Sequence, residues 1–102
     1  MVYDVLIIGG GPGGYVCALR SAHLGLRVAL VEEKKLGGVC LHWGCIPTKA
    51  LYAATRLLWQ ASTATEMGIE FGVPRIDVVR LAAWKDGVVA RLAGGIADLV
   101  KA

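Results

Sequence analysis

Apolar and polar positions follow two rhythms along this chain, and the changes of rhythm fall at glycines. Residues 3–8 form a short, β-branched apolar run that stops at a glycine cluster, the pattern of a buried parallel strand. A helical period follows over residues 12–24, with Val16, Leu19 and Ala22 on its inner side and Gly25 as its stop. Residues 27–31 read as a second buried strand ending at Glu32. Strand, glycine turn, helix and strand within some thirty residues predict a right-handed βαβ unit. Further on, residues 47–67 read as a helix begun by Pro47 and ended by Gly68. Residues 69–76 form a connector containing Pro74. Asp77 can cap a last long helix, in which Leu81, Trp84, Val88, Leu92, Ile96 and Leu99 recur every three or four residues. Gly87, Gly94 and Gly95 weaken that helix by roughly 1 kcal/mol each relative to alanine, so close helix–helix contact is expected there.

Two strands are too few for a stable parallel sheet, and the chain is expected to be a piece of something larger. The rest of the composition narrows the function. Of 102 residues, 56% are hydrophobic and 14 are glycine, which suits a compact α/β protein. The net charge of +3 is modest, and the eleven Lys and Arg are scattered without interleaved aromatics, which argues against nucleic acid. No apolar run approaches membrane-spanning length, and the N-terminus lacks the basic region of a secretory signal. A cytoplasmic setting is expected. With three cysteines there, a redox or metal role is expected before a structural disulfide framework.

Gly9, Gly11 and Gly14 match the spacing GxGxxG. In that fingerprint the first glycine permits a tight turn, the second lets the backbone approach a pyrophosphate, and the third lets helix and strand pack closely. Glu32, eighteen residues beyond Gly14, stands where a carboxylate accepts hydrogen bonds from ribose hydroxyls. A strand before, a helix after and an acid at this distance together predict dinucleotide binding. The loop alone does not separate FAD from NAD.

Cys40 and Cys45 are separated by four residues, preceded by Gly37-Gly38 and followed by Pro47. Cysteines this close can close a small, readily opened ring that adds little to stability. Cys45 would meet the free amides of a helix start, which favour a thiolate, while Cys40 lies on the preceding turn. Two unrelated buried thiols, or a zinc site using Cys40, His42, Cys45 and the remote His23, are the alternatives. Structural zinc wants four placed ligands, and no second cysteine pair completes the set, so no metal is expected. Cys17 reads as a small core residue, and Trp43 and Trp59 as packing residues.

Residues 3–15, 28–32 and 37–51, with Trp84-Lys85 and Gly94-Gly95, resemble the N-terminal segment of the FAD-dependent pyridine nucleotide–disulfide oxidoreductases. Within that family the stretch is most similar to the lipoamide-oxidising members. The resemblance implies an α/β fold: the N-terminal part of a Rossmann-like FAD-binding domain, a βαβ unit followed by a redox-disulfide helix and a long second helix. Residues 1–102 would be an incomplete FAD domain, with the remaining FAD, NAD and dimerisation domains elsewhere. It also implies that Cys40 is the interchange thiol that meets substrate and Cys45 lies against the flavin. Lys49 would approach the flavin's reactive edge. Bound FAD would be contacted by Gly9, Gly11, Pro12, Gly13 and Gly14, by Glu32 and Glu33, and by Gly37, Gly38 and Val39 as well as both cysteines and Lys49. NAD would be a co-substrate, a lipoyl domain of a 2-oxo acid dehydrogenase complex the partner, and a homodimer the assembly, with a His–Glu base from the second subunit. The alternatives are another disulfide reductase of the family, or a non-catalytic dinucleotide-binding fragment. Leu41 and Ile46-Pro47-Thr48 fit the lipoamide members better than glutathione or mercuric reductases. His42 stands where the family usually has Asn, and reads as a tolerated polar substitution rather than a proton-transfer group. Thr48 replaces the commoner Ser.

Overall fold

The computed structural model describes residues 1–102. Its elements run in the order β1 (Val5–Ile8), α1 (Pro12–His23), β2 (Val28–Val31), α2 (Gly38–Trp43), α3 (Cys45–Thr63) and α4 (Val78–Lys101), with a 3-10 turn over Ala64–Met67. The two strands pair in parallel, with Val5 opposite Val28 and Ile8 opposite Val31. Parallel neighbours require a crossover, and α1 supplies it. Asp4 fixes the register at the strand entrance. Its carboxylate accepts the Arg27 amide at 2.8 Å and two guanidinium N–H groups at 3.2 Å. Those bonds hold the Asp4 carboxyl below its ordinary range.

Glycines mark the stops the period predicted after α1 and after the 3-10 turn, while α3 itself begins at Cys45 instead of Pro47 and ends at Thr63. Gly25 and Gly68 stand at φ +84° and +79°, the left-handed region that favours glycine. At the other end of the chain, the Asp77 carboxylate accepts the Arg80 amide at 3.0 Å and caps α4. One element was not foreseen. Cys40 sits within α2, a six-residue helix, instead of on a turn. Gly37 and Gly38, with φ of +102° and +63°, read as a turn in the sequence because that is what they make; the helix begins directly upon it.

Burial is the larger correction. Only Gly10, Ala18, Gly37, Leu41, Ala50 and Ala64 are buried. β1 alternates, with Val5 and Ile7 half-covered while Leu6 and Ile8 lie open, Ile8 at 84%. The strands were expected to be buried on both faces, but helices pack on one side only. Val16 and Ala22 of α1 are exposed and Ala18 is the buried position, while Cys17 lies exposed instead of in a core. Trp43 and Trp59 are likewise exposed, not core residues, although the Trp43 ring lies beside that of His42. On α4 no residue is buried, and Trp84, Leu92 and Leu99 of the predicted inner stripe are open. Gly87, Gly94 and Gly95 make no close helix contact, since a Cβ at any of them would meet nothing within 4 Å. The physical reason is common to all of these. A period identifies which face is apolar, but a face is buried only if some element covers it, and a two-stranded sheet with four helices covers few.

Candidate disulfide and dinucleotide site

The glycine loop joins β1 to α1 and is held from three directions. Gly9 donates its amide to the Val31 carbonyl at 2.7 Å, extending the ladder one step past the strands, and turns at φ +102°. Gly14 is required by contact: a Cβ there would collide with the carbonyl oxygen of Gly9. This is the close helix–strand approach that the third glycine of the fingerprint implies. Gly11 and Gly13 face open space, and a Cβ at either would meet nothing within 4 Å. The amides of Gly11, Gly13 and Gly14 donate to no acceptor of the chain. Three free N–H groups at a helix start, with room above them, suit an anionic ligand.

Glu32 does more than the sequence reading assigned to it. One carboxylate oxygen accepts the Gly10 amide at 2.6 Å and the other accepts the Lys34 amide at 2.8 Å. The carboxylate therefore ties the loop after β1 to the turn after β2, and lone pairs remain for ribose hydroxyls. The Lys34 amide first, and the Gly10 amide second, hold its carboxyl below the ordinary 4.5, with desolvation opposing them. Because the native value is lowered, this carboxylate's contribution is complete above pH 4.5 and is lost as pH falls through the native value. Amide exchange checks this. Relative to intrinsic rates, the Gly10 and Lys34 amides should lose protection below pH 4.5, and Glu32→Gln should show the same loss at neutral pH.

The disulfide turn docks on this loop. Gly37 donates to the Gly10 carbonyl at 2.8 Å, and a Cβ on Gly38 would meet the Gly11 Cα at 2.8 Å. The two motifs, far apart in sequence, thus share a backbone contact that only glycines allow. Cys40, half-buried on α2, and Cys45, exposed at the first turn of α3, form a disulfide with a Cα–Cα distance of 4.6 Å. Gly44 separates the two helices and offers no side-chain cap, leaving the α3 amides beside Cys45 uncapped by any side chain. Cys40 opens on an apolar pocket of about 290 Å³ shared with Pro12, Tyr15, Leu41, Ile46 and Leu92. No group of three or more His, Cys, Asp or Glu side chains is gathered in a way that could hold a metal ion.

Among the residues singled out by the sequence, Gly9, Gly11, Pro12, Gly13, Gly14, Glu32, Gly37, Gly38 and the two cysteines lie on connected turns and helix starts. Lys49 lies one turn beyond Cys45 on α3, exposed and without a protein partner. Glu33 and Val39 are exposed, and no side-chain hydrogen bond is made by Glu33. Sequence reasoning missed Gly10 as a donor to Glu32, because it lies between the fingerprint glycines. It also missed His42, whose Nε2 lies 2.9 Å from the Leu36 carbonyl oxygen.

A glycine-rich βαβ turn is bonded through its backbone to the turn that carries a disulfide of five-residue spacing, the combination that marks the class of FAD-type disulphide oxidoreductase folds. The chain belongs to the pyridine nucleotide-disulphide oxidoreductase family, whose pattern it matches over residues 3–101. It is 50% identical over 99 residues to the dihydrolipoyl dehydrogenases of Halobacterium salinarum and Thermus scotoductus, in each case over 97% of this chain and 21% of the relative. It is 47% identical to that of Pseudomonas aeruginosa, covering 96% of this chain and 22% of the relative. The chain therefore spans about a fifth of the length of these relatives. Among solved structures it is similar to the flavoprotein disulfide reductase RclA from Escherichia coli, a HOCl-induced protein solved as a Cu(II) complex. The TM-score is 0.73 at 30% identity, over 96% of this chain and 19% of that one. No helix is long and apolar enough to cross a membrane.

Proposed function

We propose that this chain is the N-terminal part of the FAD-binding domain of a dihydrolipoamide dehydrogenase, which oxidises protein-bound dihydrolipoamide to lipoamide with NAD⁺ as acceptor. The observation that carries the reading is the Cys40–Cys45 disulfide seated by glycine backbones on a dinucleotide-type loop. In support, Gly11 and Gly13 have free amides and open space that would receive the pyrophosphate of FAD, and Glu32 keeps lone pairs that would accept its ribose hydroxyls. Pro12, Glu33, Gly37, Gly38, Val39 and Lys49 complete the proposed contacts. The apolar pocket at Cys40 suits an aliphatic dithiol better than a charged tripeptide.

In the reaction, a substrate thiolate attacks Sγ of Cys40, and the Cys40–Cys45 bond breaks with its electron pair on Cys45. The second substrate thiol then attacks its own sulfur in the mixed disulfide. Lipoamide leaves with a closed ring, and Cys40 is released as a thiol. The uncapped start of α3 stabilises the Cys45 thiolate in the meantime. FAD held by the glycine loop and Glu32 would supply the two-electron acceptor chemistry that links this dithiol to NAD⁺. The partners on this reading are a lipoyl domain of a 2-oxo acid dehydrogenase complex and a second copy of the complete protein, in the cytoplasm.

Purified complete protein should be yellow with bound flavin and should reduce NAD⁺ with dihydrolipoamide, at a specificity constant at least about 10³-fold above that for glutathione. Absence of flavin would remove the whole reading. Flavin with preference for another disulfide substrate would reassign it within the family.

A further inference from the structure

We propose that His42 is a positioning residue for the Cys40–Cys45 couple, holding α2 in the closed geometry when the disulfide is open. This rests on the pair being redox-active, as proposed above. α2 is six residues long, too short to persist alone, and neither end carries a side-chain cap. Its N-cap is Gly37 and its first residue Gly38, the most pliable backbone available. While the disulfide is closed, the covalent bond to Cys45 at the start of α3 fixes it. Once the bond opens, that restraint is gone.

Buried Leu41 still seats α2 against its neighbours, and within that seat the remaining hydrogen bonds orient Cys40. At one end, Gly37 donates to the Gly10 carbonyl at 2.8 Å. At the other, His42 Nε2 stands 2.9 Å from the Leu36 carbonyl oxygen, the only hydrogen bond made by a side chain of α2. A carbonyl can only accept, so Nε2 donates and carries the proton. The bond spans Leu36 to His42 and encloses both glycines and Cys40 in one clamped loop. The ring also leans on Trp43, with centroids 5.4 Å apart. Lys35, Lys85 and Asp86 line the space beside it, and none of them hydrogen-bonds to it; Lys85 pairs with Asp86 at 3.0 Å instead. A clamp that works in the dithiol state raises the effective concentration of one thiol at the other, and so favours the disulfide.

The test is the glutathione equilibrium of the pair in the complete protein. Two glutathione thiols reduce the disulfide to a dithiol and leave as glutathione disulfide, and counting alkylated Cys40 and Cys45 by mass spectrometry reads the balance. His42→Phe keeps a ring against Trp43 but loses the donor. It should lower the equilibrium constant for disulfide formation about tenfold, a rise of about 30 mV in potential. His42→Gln places an amide N–H near the same point and should restore the parent value. A folded His42→Phe with the parent equilibrium overturns the inference, as does a His42→Gln that behaves like His42→Phe. A purely structural role would move the melting temperature of both variants without moving the potential. A parent protein whose pair resists reduction altogether overturns both this inference and the proposed function.

Discussion

Cys45→Ser is expected to abolish both lipoamide turnover and the long-wavelength absorbance that a thiolate gives against oxidised flavin. Cys40→Ser should abolish turnover alone. Either loss of turnover should be at least about 10³-fold, because each sulfur is a bond-forming partner and neither has a substitute. The asymmetry follows from where the two sulfurs sit. Cys45 is exposed in the first turn of α3, behind an N-cap glycine that supplies no side-chain partner, so the helix amides favour its ionised form. Cys40 is half-buried on α2 and opens on the apolar pocket between α1 and α4, where a substrate dithiol can arrive. Base titration of each variant, followed through the flavin spectrum, separates the two. A band that survives in Cys45→Ser and vanishes in Cys40→Ser would reverse the assignment. Full turnover in both would end the disulfide mechanism.

Gly14→Ala should cost the second-largest effect. Its Cβ would fall on the Gly9 carbonyl oxygen, and backbone cannot rotate aside as a side chain can. The first turn of α1 must move away from β1, at a cost of roughly 1–3 kcal/mol or more. That movement also displaces the free amides of Gly11 and Gly13. Flavin retention in the complete protein should fall at least about tenfold, the equivalent of about 1.4 kcal/mol. Gly13→Ala is the informative contrast, since its Cβ enters open space. It should leave folding intact and report only on whether that space belongs to the ligand. Equal flavin retention in Gly14→Ala and the parent would show that the close approach is not needed for binding.

Local signals in the sequence carried over because they depend on few neighbours. The left-handed glycines that end α1 and the 3-10 turn, and the Asp77 cap, are determined within a few residues of themselves. The glycine fingerprint was legible because its spacing encodes a turn, an open approach and a contact. Gly9 and Gly14 perform two of those roles here, and Gly11 leaves the space for the third. The five-residue spacing of Cys40 and Cys45 was legible for a similar reason, as it brings the two Cα atoms to 4.6 Å. Periodicity, by contrast, overstated burial on α4 and on the strands, because covering a face takes a second element that no period announces.

The sequence by itself therefore determined the βαβ start, the glycine stops after α1 and after the 3-10 turn, the cap of α4, the two glycine-rich turns and the choice of which cysteines pair. Each of these is set by backbone conformation over a handful of residues. Only the tertiary structure decided that Glu32 holds the Gly10 amide, that Gly37 and Gly38 sit on Gly10 and Gly11, and that His42 closes over Leu36. Those contacts join segments that α1 and β2 must first bring together, or follow the exact emergence of α2 from its turn. Hydrogen bonds between such segments are set by three-dimensional approach, and no spacing along the chain specifies it.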